Sequence, residues 1–333
     1  MDAFKLMKEL RTNCEQEMYY LPKETGLSLI ESTTQMDRIS AKCRDAKVED
    51  LWSLTSFFGY STQTFVLAVN LLDRFLAMMR IQPKHLSCVS LSCLHMAAKV
   101  TEEECDLSST DELIRIGQCK FTVSDLSRME KIIAEKLNFK SKAITALTFL
   151  HLYHQIALSH STDRKETLTL DKLEAQLKAC LCRISFSKAK PSVLALSLLR
   201  QEIEAVQSGE MLEFAHHIQR HLKIADGELL YWCDLVAKCL SDYASPECSK
   251  PNHRKLVWIV SRRTAQNLQS SYCSVPDLPT IPEGGWDESE SEDLCEEMSS
   301  GEESLSSSLG SDAEGPYFPF HLCGQKHHQH LST

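Results

Sequence analysis

The sequence predicts an all-α body followed by a disordered acidic tail. From about residue 44 to 245 one amphipathic stretch follows another with short polar breaks, and no run alternates as a half-buried strand would. Only 11 glycines and 10 prolines interrupt 333 residues. Charge is also segregated: residues 264–325 carry 13 Asp plus Glu and no Lys or Arg, so the net −10 becomes +3 for the remainder. A nearly neutral body lacks the clustered basic surface of a nucleic-acid-binding domain.

Residues 1–42 read as an N-terminal helical segment. The start, MDAFKLMKEL, places Asp2 and Lys5 where a signal peptide needs an apolar run, which predicts a reducing compartment and a cytoplasmic protein. The fourteen cysteines include no CxxC spacing and are read as small core residues; Cys180 and Cys182, two apart, should splay across a helix. Next comes FVLAVNLLDRFLAMM, residues 65–79, apolar nearly all round yet carrying Asp73 and Arg74. At ~1.5 Å per residue it spans roughly 22 Å, too short and too charged for a bilayer. It is therefore a central helix of a bundle. A carboxylate there is costly unless paired, and Arg74, about 100° away on the helix, cannot be its partner.

TVSDLSRMEKIIAEKL, residues 122–137, starts with a capping box from Thr122 and Asp125 and lays Leu126, Met129, Ile132, Ile133 and Leu137 on one face. SSTDELIRI opens in the same way through Ser109 and Glu112. LDKLEAQLKACLCRI, residues 170–184, stripes Leu173, Leu177, Cys180, Leu181 and Ile184, and a further helix restarts at Pro191. HRKLVWIVSRRTAQNL predicts a C-terminal helix within residues 246–270. Residues 271–333, rich in Pro, Ser, Asp and Glu, cannot bury enough apolar surface to offset their ordering entropy.

Catalytic patterns are missing. Neither common glycine-rich phosphate loop occurs. His217 and His221 have helical zinc-pair spacing, but Ile218 stands where a metalloprotease has its glutamate base. HLYH, with His151 and His154, has no nearby acid or cysteine to complete a site, and the closing HHQH reads as a solvated tail. No enzyme activity, cofactor, metal, membrane or nucleic-acid partner is expected.

RDAKVEDL, TFVLAVNLLDRFL, HLSCVSLSCLHMAAKVTEE and DLSRMEKIIAEKL occur in the order and spacing of a cyclin box. Residues 43–145 resemble that five-helix domain. Residues 146–245 resemble its second, degenerate copy, and the whole chain with its acidic tail looks most like a G-type cyclin. The resemblance implies a buried ion pair of Arg44 with Asp73, and implies that Lys99 of AAK and Glu130 of RME contact a cyclin-dependent kinase. Glu130 lies i+4 from Leu126 and i−3 from Ile133, at the edge of an apolar stripe where a partner helix can dock; an ordinary exposed charge is the plainer alternative.

Departures from the pattern are informative. Val100 and Thr101 follow Lys99 where kinase-activating cyclins have a phenylalanine, so less apolar area is offered and kinase binding should be weak. The positions of the substrate-docking patch read Cys43, Ala46, Lys47 and Asp50, whose charges oppose burial of a leucine. In the tail, Leu278, Ile281 and Glu283 fit L-x-x-I-x-E, a motif resembling ligands of the B-prime subunit of protein phosphatase 2A, with DESESED following as electrostatic steering. Ser289, Ser299, Ser300 and Ser311 each have an acidic residue three positions on, as acid-directed kinases favour.

Two functions follow from the resemblance. One is a non-catalytic regulatory cyclin, a negative regulator of cell-cycle progression and growth that acts as an adaptor for protein phosphatase 2A, cytoplasmic with nuclear shuttling. The other is the activating subunit of a cyclin-dependent kinase. Cyclin-G-associated kinase is a further partner that the resemblance implies.

Overall fold

The structure, a computed structural model, describes residues 3–35, 37–160, 169–206 and 209–245. The chain divides after Ser271 into two units, and only the first contains described residues. The expected helix within 246–270, the acidic tail, the 278–283 motif and the four tail serines lie outside them.

Among the described residues there are helices and turns and no strand. Two helices precede the bundle, α1 (Ala3–Gln16) and α2 (Glu24–Ser32). The first five-helix fold comprises α3 (Ala41–Phe58), α4 (Thr62–Leu76), α5 (Leu86–Thr101), α6 (Thr110–Ile116) and α7 (Val123–Lys136). The second comprises α8 (Ala146–His160), α9 (Leu170–Leu181), α10 (Pro191–Val206), α11 (Gly209–Leu222) and α12 (Asp226–Ala244). The architecture is thus a tandem repeat of five helices.

Local sequence sets where these helices begin. Ser40, Ser61 and Ser109 accept hydrogen bonds from the backbone N–H three residues on, covering donors that a helix start leaves unpaired. Thr122 and Asp125 form a reciprocal capping box. At Ser109 only half of that arrangement forms, because the Glu112 carboxylate turns to Arg115 at 3.6 Å. α3 stops at Gly59, whose φ of 71° is open to glycine without a Cβ clash.

Each repeat surrounds one helix. α4 is buried from Thr64 to Leu76 except at Asn70, which explains its apolar character, and it packs on α2, α3, α5 and α9. α10 plays that part in the second repeat, against α8, α9, α11 and α12. α2 approaches α4 so closely that a Cβ on Gly26 would lie 1.9 Å from the Ala77 carbonyl oxygen.

One expectation about cysteines needs correction: Cys43 and Cys105 are exposed rather than core residues. Cys180 and Cys182 are both buried and, as expected of residues two apart, have different neighbours, Cys239 for the first and Glu49 and Arg44 for the second.

Candidate functional site: a buried ion pair behind an α5–α7 groove

Asp73 meets Arg44. Arg44 is fully buried on α3 and makes a two-pronged contact with the carboxylate, Nε to Oδ1 at 2.9 Å and Nη2 to Oδ2 at 2.6 Å. Its other donors reach the Leu181 carbonyl at 2.8 Å, the Ser187 hydroxyl at 3.2 Å and Asp45 at 3.2 Å. Ser187 in turn donates to Asp73 Oδ2 at 2.6 Å. Burial acts to lower the Arg44 pKa, but the charge and hydrogen bonds of Asp73, then of Asp45, outweigh it and the pKa is raised. Sequence reading missed Leu181 and Ser187, which belong to the second repeat, so the pair also joins the two folds.

Around it run two further ties to the same turn. Asp45 accepts from Ile184 N at 2.9 Å, and Glu49 accepts from Arg183 at 2.7 Å. Burial raises the Asp45 carboxyl despite Arg44 and the Ile184 N–H. Arg74 points elsewhere: it donates to the Lys140 carbonyl at 2.9 Å and lies over the Tyr20 ring.

Lys99 and Glu130 come together in the lining of a groove of about 420 Å³ between α5 and α7. Lys99 Nζ donates to Glu130 Oε2 at 2.8 Å, with side-chain exposures of 42% and 14%. No local pattern pairs His95 with Glu130, yet its Nδ1 lies 2.7 Å from Oε1. Burial acts to raise the Glu130 pKa, but the hydrogen bonds from His95 and Lys99, with their charge, hold it below the ordinary carboxylate value.

The apolar part of the groove lining comes from Met96, Val100, Ala134 and Phe139. Phe139 is 75% exposed. Its φ is 57°, and that of Asn138 is 52°, a left-handed reversal closed by Phe139 N to Ala134 O at 2.7 Å. A bulky side chain in that region costs on the order of 1 kcal/mol, a strain that surrounding structure must hold in place. Helical periodicity could not find Phe139, because its exposure follows from the reversal.

The remaining sequence-selected residues are simpler. Lys47 and Asp50 pair across the α3 surface at 2.7 Å, beside the exposed Cys43 and Ala46. His217 and His221 stack with centroids 6.4 Å apart. The expectation that HLYH has no acid nearby is corrected: Glu174 on α9 lies 2.9 Å from His151 Nε2, a contact across helices that sequence distance conceals. Among the described residues, Glu103, Cys105 and Asp106 form an exposed group with potential ligand atoms within 4.8 Å of one another. No helix among them is long and apolar enough to cross a membrane.

Comparison with known proteins agrees with this geometry. Residues 6–142 match the family described as the cyclin N-terminal domain. The chain is 60% identical to human Cyclin-G2 over 319 residues, covering 95% of this chain and 93% of that protein. It belongs to the G-type cyclins. Mouse Cyclin-G1 is 54% identical over 286 residues, which cover 85% of this chain and 97% of the relative. The X-ray structure of a viral cyclin from herpesvirus saimiri shares the fold, with a TM-score of 0.54 at 20% identity over 72% of this chain and 99% of the viral one. The role of this G-type cyclin is regulatory.

Proposed function

We propose that this G-type cyclin is a non-catalytic adaptor that restrains cell-cycle progression and growth by bringing protein phosphatase 2A to its targets through the B-prime subunit. The observation that carries this reading is the 278–283 sequence, in which Leu278 and Ile281 would fill apolar pockets and Glu283 a basic one. The Lys47–Asp50 pair supports it indirectly, since a leucine seated there would bury charge, leaving little basis for substrate docking on the box. Cytoplasmic residence with nuclear shuttling belongs to the same reading. Co-precipitation from cells of the full chain against a truncation ending at Tyr272 tests it. Loss of the phosphatase on truncation is expected, and equal recovery would refute it.

The α5–α7 groove favours a second, compatible reading. A cyclin-dependent kinase helix would lie against Met96, Val100 and Phe139 while polar groups met Lys99 and Glu130. Cyclin-G-associated kinase is another kinase to probe. Phe139→Ala should lower kinase recovery in the same experiment without changing phosphatase recovery.

A further inference from the structure

We infer that His95 is the positioning residue of the groove: it locks the Glu130 carboxylate to α5 before any partner arrives, leaving the free N–H donors of Lys99 as the groove's polar offering. The consequence for docking rests on the kinase reading above; the positioning itself does not.

Both oxygens of Glu130 are occupied from one helix. Oε1 faces His95 Nδ1 at 2.7 Å and Oε2 faces Lys99 Nζ at 2.8 Å. His95 and Lys99 are four residues apart, so they project from the same face of α5 and grip the α7 carboxylate at two points. The His95 and Glu130 side chains are each 14% exposed, whereas Lys99 is 42% exposed. The carboxylate is held ionised and carries no proton, so the hydrogen in the short contact belongs to His95 Nδ1. In a neutral imidazole the other nitrogen then accepts, and Thr110 Oγ1 at the start of α6 is 3.5 Å from Nε2. α6, α5 and α7 are thereby joined through one ring.

Glu130 loses its rotamer freedom in the free protein, a cost that would otherwise fall on association. Lys99 uses one of its three donors inward and keeps two for a partner. A partner segment should therefore present acceptors, such as backbone carbonyls, to the two remaining Lys99 donors, while each Glu130 oxygen keeps a lone pair in a fixed position.

The test uses the full-length chain as parent, His95→Leu and His95→Asn; asparagine can place an N–H near the position of Nδ1, and leucine cannot. Carbon-detected NMR follows the Glu130 carboxyl titration without any partner, and circular dichroism checks helical content. The titration should move to higher pH in His95→Leu and return toward the parent in His95→Asn. An unmoved Glu130 titration in folded His95→Leu would overturn the positioning role, whatever any kinase does. Calorimetry against a set of purified monomeric cyclin-dependent kinases forms the second arm. Affinity for a kinase that binds the parent should fall severalfold in His95→Leu and in Lys99→Ala, with recovery in His95→Asn. If the titration behaves as expected and no kinase binds the parent, the docking reading fails and the positioning role stands. If a kinase binds but Lys99→Ala leaves its affinity unchanged, the assignment of Lys99 as the offered donor is refuted.

Discussion

Arg44→Ala should be among the most damaging single substitutions in the body of the protein. All five guanidinium donors have partners: Asp73 twice, Leu181 O, Ser187 Oγ and Asp45. Truncation leaves Asp73, 3% exposed, with only the Ser187 hydroxyl, and removes a partner from the Leu181 carbonyl. Breaking a buried ion pair costs about 3–5 kcal/mol, and an orphaned buried carbonyl adds about 1 kcal/mol. Against a total stability of roughly 5–15 kcal/mol, that loss threatens the fold. The double variant Arg44→Met with Asp73→Leu removes both charges and should be milder, at about 2 kcal/mol or less, because an apolar replacement leaves no buried ion unpaired. Urea unfolding of the full-length chain, followed by far-UV circular dichroism, measures all three. Parental stability in Arg44→Ala would refute the reasoning, as would a double variant weaker than the single.

Gly26→Ala should cost about 1–3 kcal/mol and lower the melting temperature, since its Cβ meets the backbone oxygen of Ala77 at 1.9 Å and α2 must shift; an unchanged melt would contradict this packing. Burial raises the Glu17 carboxyl above its ordinary 4.5 against the opposing Ser192 N–H and hydroxyl, so the folded state holds that proton more tightly than the unfolded chain. Its contribution to stability therefore falls as pH rises from the ordinary carboxylate range through the raised pKa, and Glu17→Gln should flatten this part of a melting-temperature profile in weak acid. Leucine-bearing substrate peptides that dock on other cyclins should show no calorimetric binding at Ala46 and Lys47; micromolar binding abolished by changes there would count against the polar patch. In fluorescence anisotropy with purified B-prime subunit, phosphorylation of Ser289 should tighten a 274–295 peptide severalfold at low salt. Changing Leu278 and Ile281 to Ala should abolish binding with or without the phosphate, and equal affinity of the two peptides would show that the motif is not the anchor.

Much of the helical body was legible because local chemistry and burial agree. The 65–79 stretch is apolar nearly all round, and α4 is enclosed from Thr64 to Leu76 except at Asn70. Thr122 and Asp125 announce a helix start through an arrangement only three residues long. The candidate sites were legible only in part, since their contacts depend on backbone path. Arg44 was identified through resemblance, but its bond to the Leu181 carbonyl joins residues 137 apart and uses an acceptor every residue possesses. His95 sits within an apolar run, and nothing local says that it faces α7. Phe139 follows α7 by three residues and owes its exposure to two left-handed backbone positions.

The N-terminal segment shows the same dependence on distant contacts, and it is more than an appendage to two independent repeats. Leu6, Leu10, Leu27 and Ile30 are buried, with α1 packed on α8 and α2 on both α4 and the 184–188 turn. Glu17, between these two helices, accepts from Ser192 N at 2.8 Å and Ser192 Oγ at 2.7 Å at the start of α10. A carboxylate there covers an otherwise unpaired helix donor and faces the positive end of the helix dipole. Lys188 in the turn pairs with Glu31 of α2. The same turn supplies Ser187 to the Arg44–Asp73 pair. Residues 184–188 are therefore held by α2 on one side and by the buried pair on the other, so a change at either contact reaches both repeats.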